Sequence, residues 1–526
     1  MAPELSSSAD PSRGTGPTTV AIGCGVVVGV DAIPVLIEAR MLGETSTPRI
    51  LGSVDQVVRE AYHRILSAFG AVGLPVPRGS PVLNFVPADV RKAGSSFDLP
   101  MALALAAAGG LLDPARLAGL VAFGEVTLDG RVRSSPGIVP VAIAARARGW
   151  TRLLTSRDDA TLAAIVPGLT PLPVADLREA IAGLAAGSLT PIAQRDALTR
   201  LRHAGARAAV PDLADVRGHA TAKDALVAAA AGRHDLLFVG PPGSGKSALL
   251  RRLVGILPPL GADESLEVLK VLSAHATLPE AQGSLSRSGR PFRAPHHTSS
   301  AAAVLGGGPE PRPGEVTLAH HGVLFLDELP EFRREVLEGL RQPLEDRCVS
   351  IGRARRTVTL PADFLLVAAM NPCPCGHAND PARTCSCTPQ DRRRYLARIS
   401  GPLLDRFDLR LELHSPPPEE FRAPRDPAAS TSALAERVVA AMARQAARNA
   451  HALPHGRLEG LALDDACSAD DAVLATLERA MRSWRVSARG RTRVLRLART
   501  LADLADRDAI TNEDVLLAIR LRGADR

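Results

Sequence analysis

The segment around residues 235–256 limits the fold more than any other. Asp235–Val239 (DLLFV) is a short apolar run. Gly240, Pro241, Pro242, Gly243, Ser244, Gly245, Lys246 and Ser247 follow it, and ALLRRLVGIL continues at helical spacing. A glycine-rich turn between a strand and a helix lets backbone N–H groups curl toward an anion at the helix N-terminus, where the helix dipole favours negative charge. In this context the pattern reads as a phosphate-binding loop, with Lys246 as a point charge for the β- and γ-phosphates and Ser247 as a Mg2+ ligand. The implied cofactors are ATP and Mg2+. A surface turn rich in glycine and proline is the competing reading, and it leaves the flanking strand, the helix and the lysine unexplained. Only four lysines, at 92, 223, 246 and 270, stand among the 63 basic residues.

Two later runs extend the nucleotide site. Val323–Leu326 (VLFL) leads into Asp327 and Glu328. A buried strand that delivers Asp327 to its C-terminal end can complete the Mg2+ shell, while Glu328 polarises an attacking water. Phe364–Met370 (FLLVAAM) is another buried strand, and it ends in Asn371, whose amide can orient that water.

A chain of 526 residues has room for about three domains at about 150 residues each. Hydrophobic residues make up 46% and charged residues 23%, which excludes a disordered or fibrous chain. Aromatics at 3% argue against base-stacking platforms, so any hold on nucleic acid is electrostatic, and the net charge of +7 is compatible with a polyanion partner. No apolar run reaches the length of a membrane span and no signal peptide is evident, so the expected location is cytoplasmic, with no membrane partner. The expected organisation is a disordered tail over 1–16, an α/β domain over 17–190, a linker over 191–212, an α/β ATPase core over 213–414, a Pro-rich linker over 415–430 and a helical region over 431–526.

The order of phosphate loop, acidic strand and polar-tipped strand resembles the AAA+ ATPases. RPFRAPHHTSS (290–300), GEVTLAHHGVLFLDELPEF (314–332), MNPCPCG (370–376) and RISGPLLDRFDL (398–409) narrow the likeness to the magnesium-chelatase-like ATPases of the YifB/ComM family, over roughly residues 17–525. That resemblance implies an AAA+ core with a C-terminal helical lid, and a homo-oligomeric ring, usually a hexamer, with ATP between subunits. Arg406 in LLDRF matches the arginine finger of the family, the alternative being a structural ion pair with Asp405 or Asp408. Ser487-Ala488-Arg489 matches the second sensor, which makes Arg489 the phosphate contact of the lid. CVSIGRARRTVTLPADF (348–364) matches the pore-facing hairpin, so Arg353, Arg355 and Arg356 at its tip are candidate contacts for a DNA backbone, with a solvated tip as the alternative. Arg293, His296 and His297 lie just upstream and join the candidates. On a strand the two histidines would point to opposite sides, which argues against a shared metal.

Cys373, Cys375, Cys385 and Cys387 form two C-x-C pairs in an insert over 373–387. Four thiolates can close a tetrahedral structural Zn2+ site, while the tight pair spacing leaves reduced free thiols as the alternative. Cys24, Cys348 and Cys467 are isolated and are expected to pack. Arg482, Arg485, Arg489, Arg493 and Arg496 recur at helical spacing, either as a nucleotide- or DNA-facing stripe or as a solvated or subunit-facing one.

The segment 17–190 resembles the proteolytic domain of Lon through LNFVPADVRKAGSSFDLPMALALAAA (83–108) and FGEVTLDGRVR (123–133). The likeness puts Ser96 at the nucleophile position and Val139 where the partner lysine belongs, while Lys92 lies in the wrong element. A serine without a base is a poor nucleophile, so no peptidase activity is expected. This domain remains a candidate surface for a protein partner. The function that the resemblance implies is an ATP-hydrolysing hexameric motor, a DNA helicase driving branch migration on single-stranded or branched DNA during recombination of incoming DNA. The alternative is a chelatase-like subunit that uses ATP to remodel a protein partner.

Overall fold

The computed structural model describes residues 19–42, 48–195, 211–277, 289–308, 311–353, 356–378, 380, 383–422, 424–448, 454–484 and 488–523. The tail over 1–16, Arg355, Arg485 and Ser487 lie outside the described residues, as do the side chains of Arg353 and Arg356. The chain divides into two compact units, residues 1–200 with 273–279 and residues 201–272 with 280–526.

The first unit is built on β1 (Val20–Val28), β2 (Asp31–Leu42), β3 (Arg49–Leu51), β4 (Ser80–Val86), β5 (Leu120–Ala122), the ribbon of β6 (Glu125–Val126) and β7 (Val132–Arg133), β8 (Arg152–Ser156) and β9 (Thr170–Val174). All but the ribbon join one mixed sheet in the order β3-β4-β2-β1-β5-β8-β9, with β1, β5, β8 and β9 parallel. Alternation sorts the side chains of β1, so Val20, Ile22, Cys24 and Val26 share a core with α1 (Gln56–Ala71) and α2 (Asp98–Ala108). A helix as uniformly apolar as α2 belongs inside, and all its residues from Asp98 to Ala107 are buried. Val139 is fully buried on α3 (Ile138–Ala147).

The second unit holds β10 (Leu236–Val239), β11 (Phe292–Arg293), β12 (Val323–Leu326), the hairpin of β13 (Cys348–Arg353) and β14 (Arg356–Pro361), β15 (Leu365–Met370) and β16 (Leu409–Glu412). Its five-stranded sheet is parallel throughout, in the order β11-β12-β15-β10-β16. Short, continuously apolar strands suit a sheet covered on both faces. Leu236, Phe238, Phe325, Leu365 and Val367 turn to one side, and Leu237, Leu324, Leu326, Leu366 and Met370 to the other.

The first of these faces packs on α4 (Ala220–Gly232) and on the C-terminal helices α6 (Thr431–Arg448), α7 (Ala488–Leu504) and α8 (Asn512–Arg522), while α5 (Lys246–Arg252) follows the glycine-rich loop. Leu434, Val438, Leu495, Ala498 and Val515 thereby enter the same core as Leu236 and Phe238. A buried polar chain runs through this contact. His234 Nδ1 lies 3.1 Å from Asp408 and its Nε2 lies 2.8 Å from Thr500 Oγ1. His455 Nδ1 stands 3.5 Å from Thr500 Oγ1 and 3.4 Å from Asp503, which also pairs with Arg448 and Arg499 at 2.9 Å each. Burial alone would push the Asp408 carboxyl up, but the hydrogen bond and charge of His234, with Arg493 nearby, hold it below its ordinary value. No helix among the described residues is long and apolar enough to cross a membrane.

Candidate functional site

The C-terminal ends of parallel strands are where an open α/β sheet gathers polar residues. Here β10, β15 and β12 lie side by side, with Val239 opposite Met370 and Leu326 opposite Ala368, so the glycine-rich loop, Asn371 and Asp327 emerge together. Gly243 and Gly245 take φ values of +81° and +83°, the left-handed conformation that favours glycine. Lys246 Nζ donates to the carbonyls of Gly240 at 2.6 Å and Pro241 at 2.7 Å, and it lies 3.4 Å from both Ser244 Oγ and Asn371 Oδ1. Burial pushes the Lys246 ammonium below its ordinary pKa, against the pull of Asp327. Ser247 Oγ donates to Asp327 Oδ2 at 2.8 Å. A hydroxyl and a carboxylate in contact are the hard oxygen donors that Mg2+ takes, so the residues present fit that ion.

Glu328 follows Asp327 at φ +54°, a strained conformation for a side chain other than glycine, and its carboxylate turns outward. Its Oε2 lies 3.2 Å from His297 Nδ1. His296 and His297 lie past the end of β11, with rings 4.2 Å apart, so the opposite-sided arrangement expected of a strand does not apply. Arg293 is engaged by Glu315 at 2.6 and 2.9 Å.

Arg406 pairs with neither adjacent aspartate. Asp408 is taken by His234 and lies 3.5 Å from Arg493, Asp405 lies 3.7 Å from Arg410, and Arg406 Nη2 bonds the carboxylate of Glu345. The Arg406 bond, followed by the charges of Arg406, Arg489 and Arg341, holds the Glu345 carboxyl below its usual range. Arg406 thus bonds the Glu345 carboxylate, and the charge of Arg489 also reaches it. In the rest of the arginine stripe, Arg482 lies 3.7 Å from Glu478, Arg493 is buried, and Arg496 bonds Leu458 O and Glu459. At the hairpin tip, Arg353 and Arg356 are register partners. Sequence reasoning missed Glu345, and it gave His297 no link to Glu328. An acidic residue on a short helix and a histidine in a loop carry no local signal of partners 61 and 31 positions away.

The four cysteines of the insert converge. Cys373 Sγ lies 3.4 Å from Cys375 Sγ and 3.6 Å from Cys385 Sγ, and the last two are 3.5 Å apart. One sulfur from each of the four lies within 4.8 Å of the others. Backbone N–H groups point at these sulfurs, with Ala378 N 3.3 Å from Cys373 Sγ and Cys375 N 3.3 Å from Cys387 Sγ. The backbone N–H of His377 leads in pulling the Cys375 thiol down, while burial pushes the Cys373 thiol up and, against the backbone N–H of Cys375, burial and the neighbouring sulfurs push up that of Cys387. Four soft sulfur donors in this arrangement fit Zn2+. Cys24 and Cys467 are buried, as packing residues should be.

In the first unit, Ser95 Oγ donates to Glu125 at 2.7 Å, and Ser96 contributes its carbonyl to Gly124 N. The fully buried Lys92 donates to the carbonyls of Phe85 and Pro87, and burial pushes its ammonium below the ordinary pKa.

Three family signatures tile this chain. Residues 37–159 match subunit ChlI of Mg-chelatase, 212–421 match magnesium chelatase, subunit ChlI, and 428–522 match its C-terminal part. The uncharacterized protein YifB of Escherichia coli is 37% identical over 502 residues, covering 95% of this chain and 96% of YifB. The competence protein ComM of Haemophilus influenzae is 35% identical over 506 residues, covering 95% and 96%. An uncharacterized protein of Mycobacterium tuberculosis is 38% identical over 502 residues, covering 94% and 97%. Fold and site together define a mixed α/β protein carrying a magnesium-chelatase-like AAA+ domain. The chain belongs to the YifB/ComM family of magnesium-chelatase-like proteins.

Proposed function

We propose that this protein is a cytosolic, ring-forming ATPase, a hexamer, that couples ATP hydrolysis to movement along single-stranded or branched DNA. The observation that carries the reading is the meeting of Lys246, Ser247, Asp327 and Asn371 at the ends of β10, β12 and β15. Backbone N–H groups of Gly243–Ser247 and Lys246 bind the β- and γ-phosphates. Ser247 and Asp327 would hold Mg2+, which would neutralise phosphate charge. Asn371 orients a water in line with the γ-phosphate. Glu328 accepts its proton as the water oxygen bonds to the γ-phosphorus, the β,γ-bridging bond breaks and ADP leaves. Arg406 supplies positive charge to the γ-phosphate bound at the neighbouring subunit, and Arg489 supplies it from the helical lid.

Arginines 353, 355 and 356 on the hairpin of each subunit line the pore and follow the DNA backbone without reading bases. The name of the competence relative supports a role in competence, and the motor acts there as a helicase in branch migration of incoming DNA. The domain over 17–190 is a Lon-like fold without peptidase activity and serves as a platform for protein partners. Zinc is held by Cys373, Cys375, Cys385 and Cys387.

The deciding experiment measures ATPase rate with and without single-stranded and four-way-junction DNA, with Lys246→Ala as control. DNA stimulation with junction unwinding supports the motor. Unstimulated hydrolysis without unwinding moves the reading to the chelatase-like alternative, a subunit that remodels a protein partner.

A further inference from the structure

The four-cysteine cluster does not stand apart from the nucleotide site. Cys373 is fully buried two residues after Asn371, whose Oδ1 is 3.4 Å from Lys246 Nζ. Gly376 closes the turn through its N–H to Cys373 O at 3.0 Å, with φ +84°. Its Cα faces the phosphate loop so closely that an added β-carbon would stand 2.6 Å from Pro242 Cδ and 3.9 Å from the Asn371 amide carbon. The cysteine turn therefore packs on Pro242 and carries Asn371 at its base.

A zinc–sulfur bond of about 2.3 Å sets a tetrahedron edge of about 3.8 Å. The three bonded sulfur pairs here, at 3.4, 3.5 and 3.6 Å, are close to that edge and far from a disulfide. Among the described residues of the cluster, the 373–376 turn is tied to 385–387 through sulfur contacts alone, those of Cys385 Sγ with Cys373 and Cys375 and that of Cys375 N with Cys387 Sγ.

We propose that the metal held by Cys373, Cys375, Cys385 and Cys387 is a buttress of the ATP site, fixing Asn371 and Pro242 so that metal loading sets nucleotide affinity. This rests on the zinc reading given above and goes beyond it, because a zinc site serving only its own insert would leave nucleotide binding unchanged. Outer-shell contacts of this kind shift affinity or activity by about 10- to 100-fold.

The test uses the full-length protein under reducing conditions, with zinc content measured by metal analysis and the Kd for a fluorescent ADP analogue by titration. The expected results are one zinc per chain, an affinity at least about tenfold weaker after chelation, and recovery on adding one equivalent of Zn2+. Gly376→Ala keeps all four ligands. It is expected to retain its zinc yet weaken the analogue several-fold, because the new methyl displaces Pro242. Gly376→Ala also covers the case in which the stripped protein unfolds. An unchanged Kd both in the stripped protein and in a Gly376→Ala variant that keeps its full zinc overturns the buttress and leaves the zinc site standing. A purified protein that contains no zinc and takes up none overturns both.

Discussion

Both units place polar side chains at the open ends of parallel strands, yet the two ends are chemically unlike. In the second unit a lysine meets an asparagine and a serine meets an aspartate at neighbouring strand ends, with a glutamate next to the aspartate. At the end of β8 in the first unit, Ser134 Oγ lies 3.0 Å from Ser156 Oγ and Ser135 N donates to Asp159 at 3.0 Å. No lysine joins these groups, Lys92 is spent on carbonyls, and Val139 is buried. A parallel sheet supplies a place for chemistry. The reacting charge must come from particular residues, and no lysine stands with the serines of the first unit.

The proposed roles predict a steep contrast between the two. Arg406→Ala should lower turnover by about 10³-fold or more while leaving ATP binding nearly intact, as read by steady-state hydrolysis beside equilibrium binding. Wild-type turnover in this variant would show that its bond to Glu345 is structural only. Glu328→Gln should lower turnover by about 10²- to 10⁴-fold and leave the nucleotide bound, detectable as an ATP-loaded assembly by size-exclusion chromatography. Rapid hydrolysis in that variant would mean that the acidic strand has been assigned the wrong role.

The pH responses should also separate the units. Burial lowers His320 to about 4 and His455 to about 3, both in the second unit. Above pH 6.5 both are neutral, folded or unfolded. As pH falls from 6.5 toward 4, the unfolded chain takes up protons that the native one refuses, so stability drops by about 1.4 kcal/mol per pH unit for each proton. Asp235, raised by burial to about 7, opposes one of those two protons. In the first unit burial raises Asp159 to about 6, so its contribution is present below about pH 4 and is lost as pH climbs through 6. Acid should therefore weaken the second unit relative to the first. Trp150 and Trp484 fall in different units, and urea midpoints from single-tryptophan variants between pH 4.5 and 7 measure this. Parallel midpoint shifts in the two would contradict it.

The smallest effect is expected at Ser96. Ser96→Ala should leave ATPase rate and stability within about twofold and 0.5 kcal/mol. ATP-dependent cleavage of casein that this change abolishes would restore a protease role.

The parts of the site legible in the sequence were those written locally. The glycine-rich loop is contiguous, and VLFL and FLLVAAM are continuous apolar runs because both faces of their strands are covered. The paired cysteines were legible for the same reason, two residues apart within each pair. Long-range pairings left no such trace. Arg406 finds Glu345 across 61 positions, and His234 finds Asp408 and Thr500 across 174 and 266. Composition was equally silent about Arg493, which looks like one more surface arginine and is buried beside Asp408.

The polar chain from His234 through Thr500 to Asp503 makes the C-terminal helices a poor candidate for exchange or removal. A chain cut at residue 430 would strip His234 of its hydroxyl partner and Asp408 of Arg493, and would bare the apolar face of Leu236 and Phe238. Exchanging the helices at the proline-rich stretch would therefore mean replacing a hydrogen-bonded interior, not just an appendage.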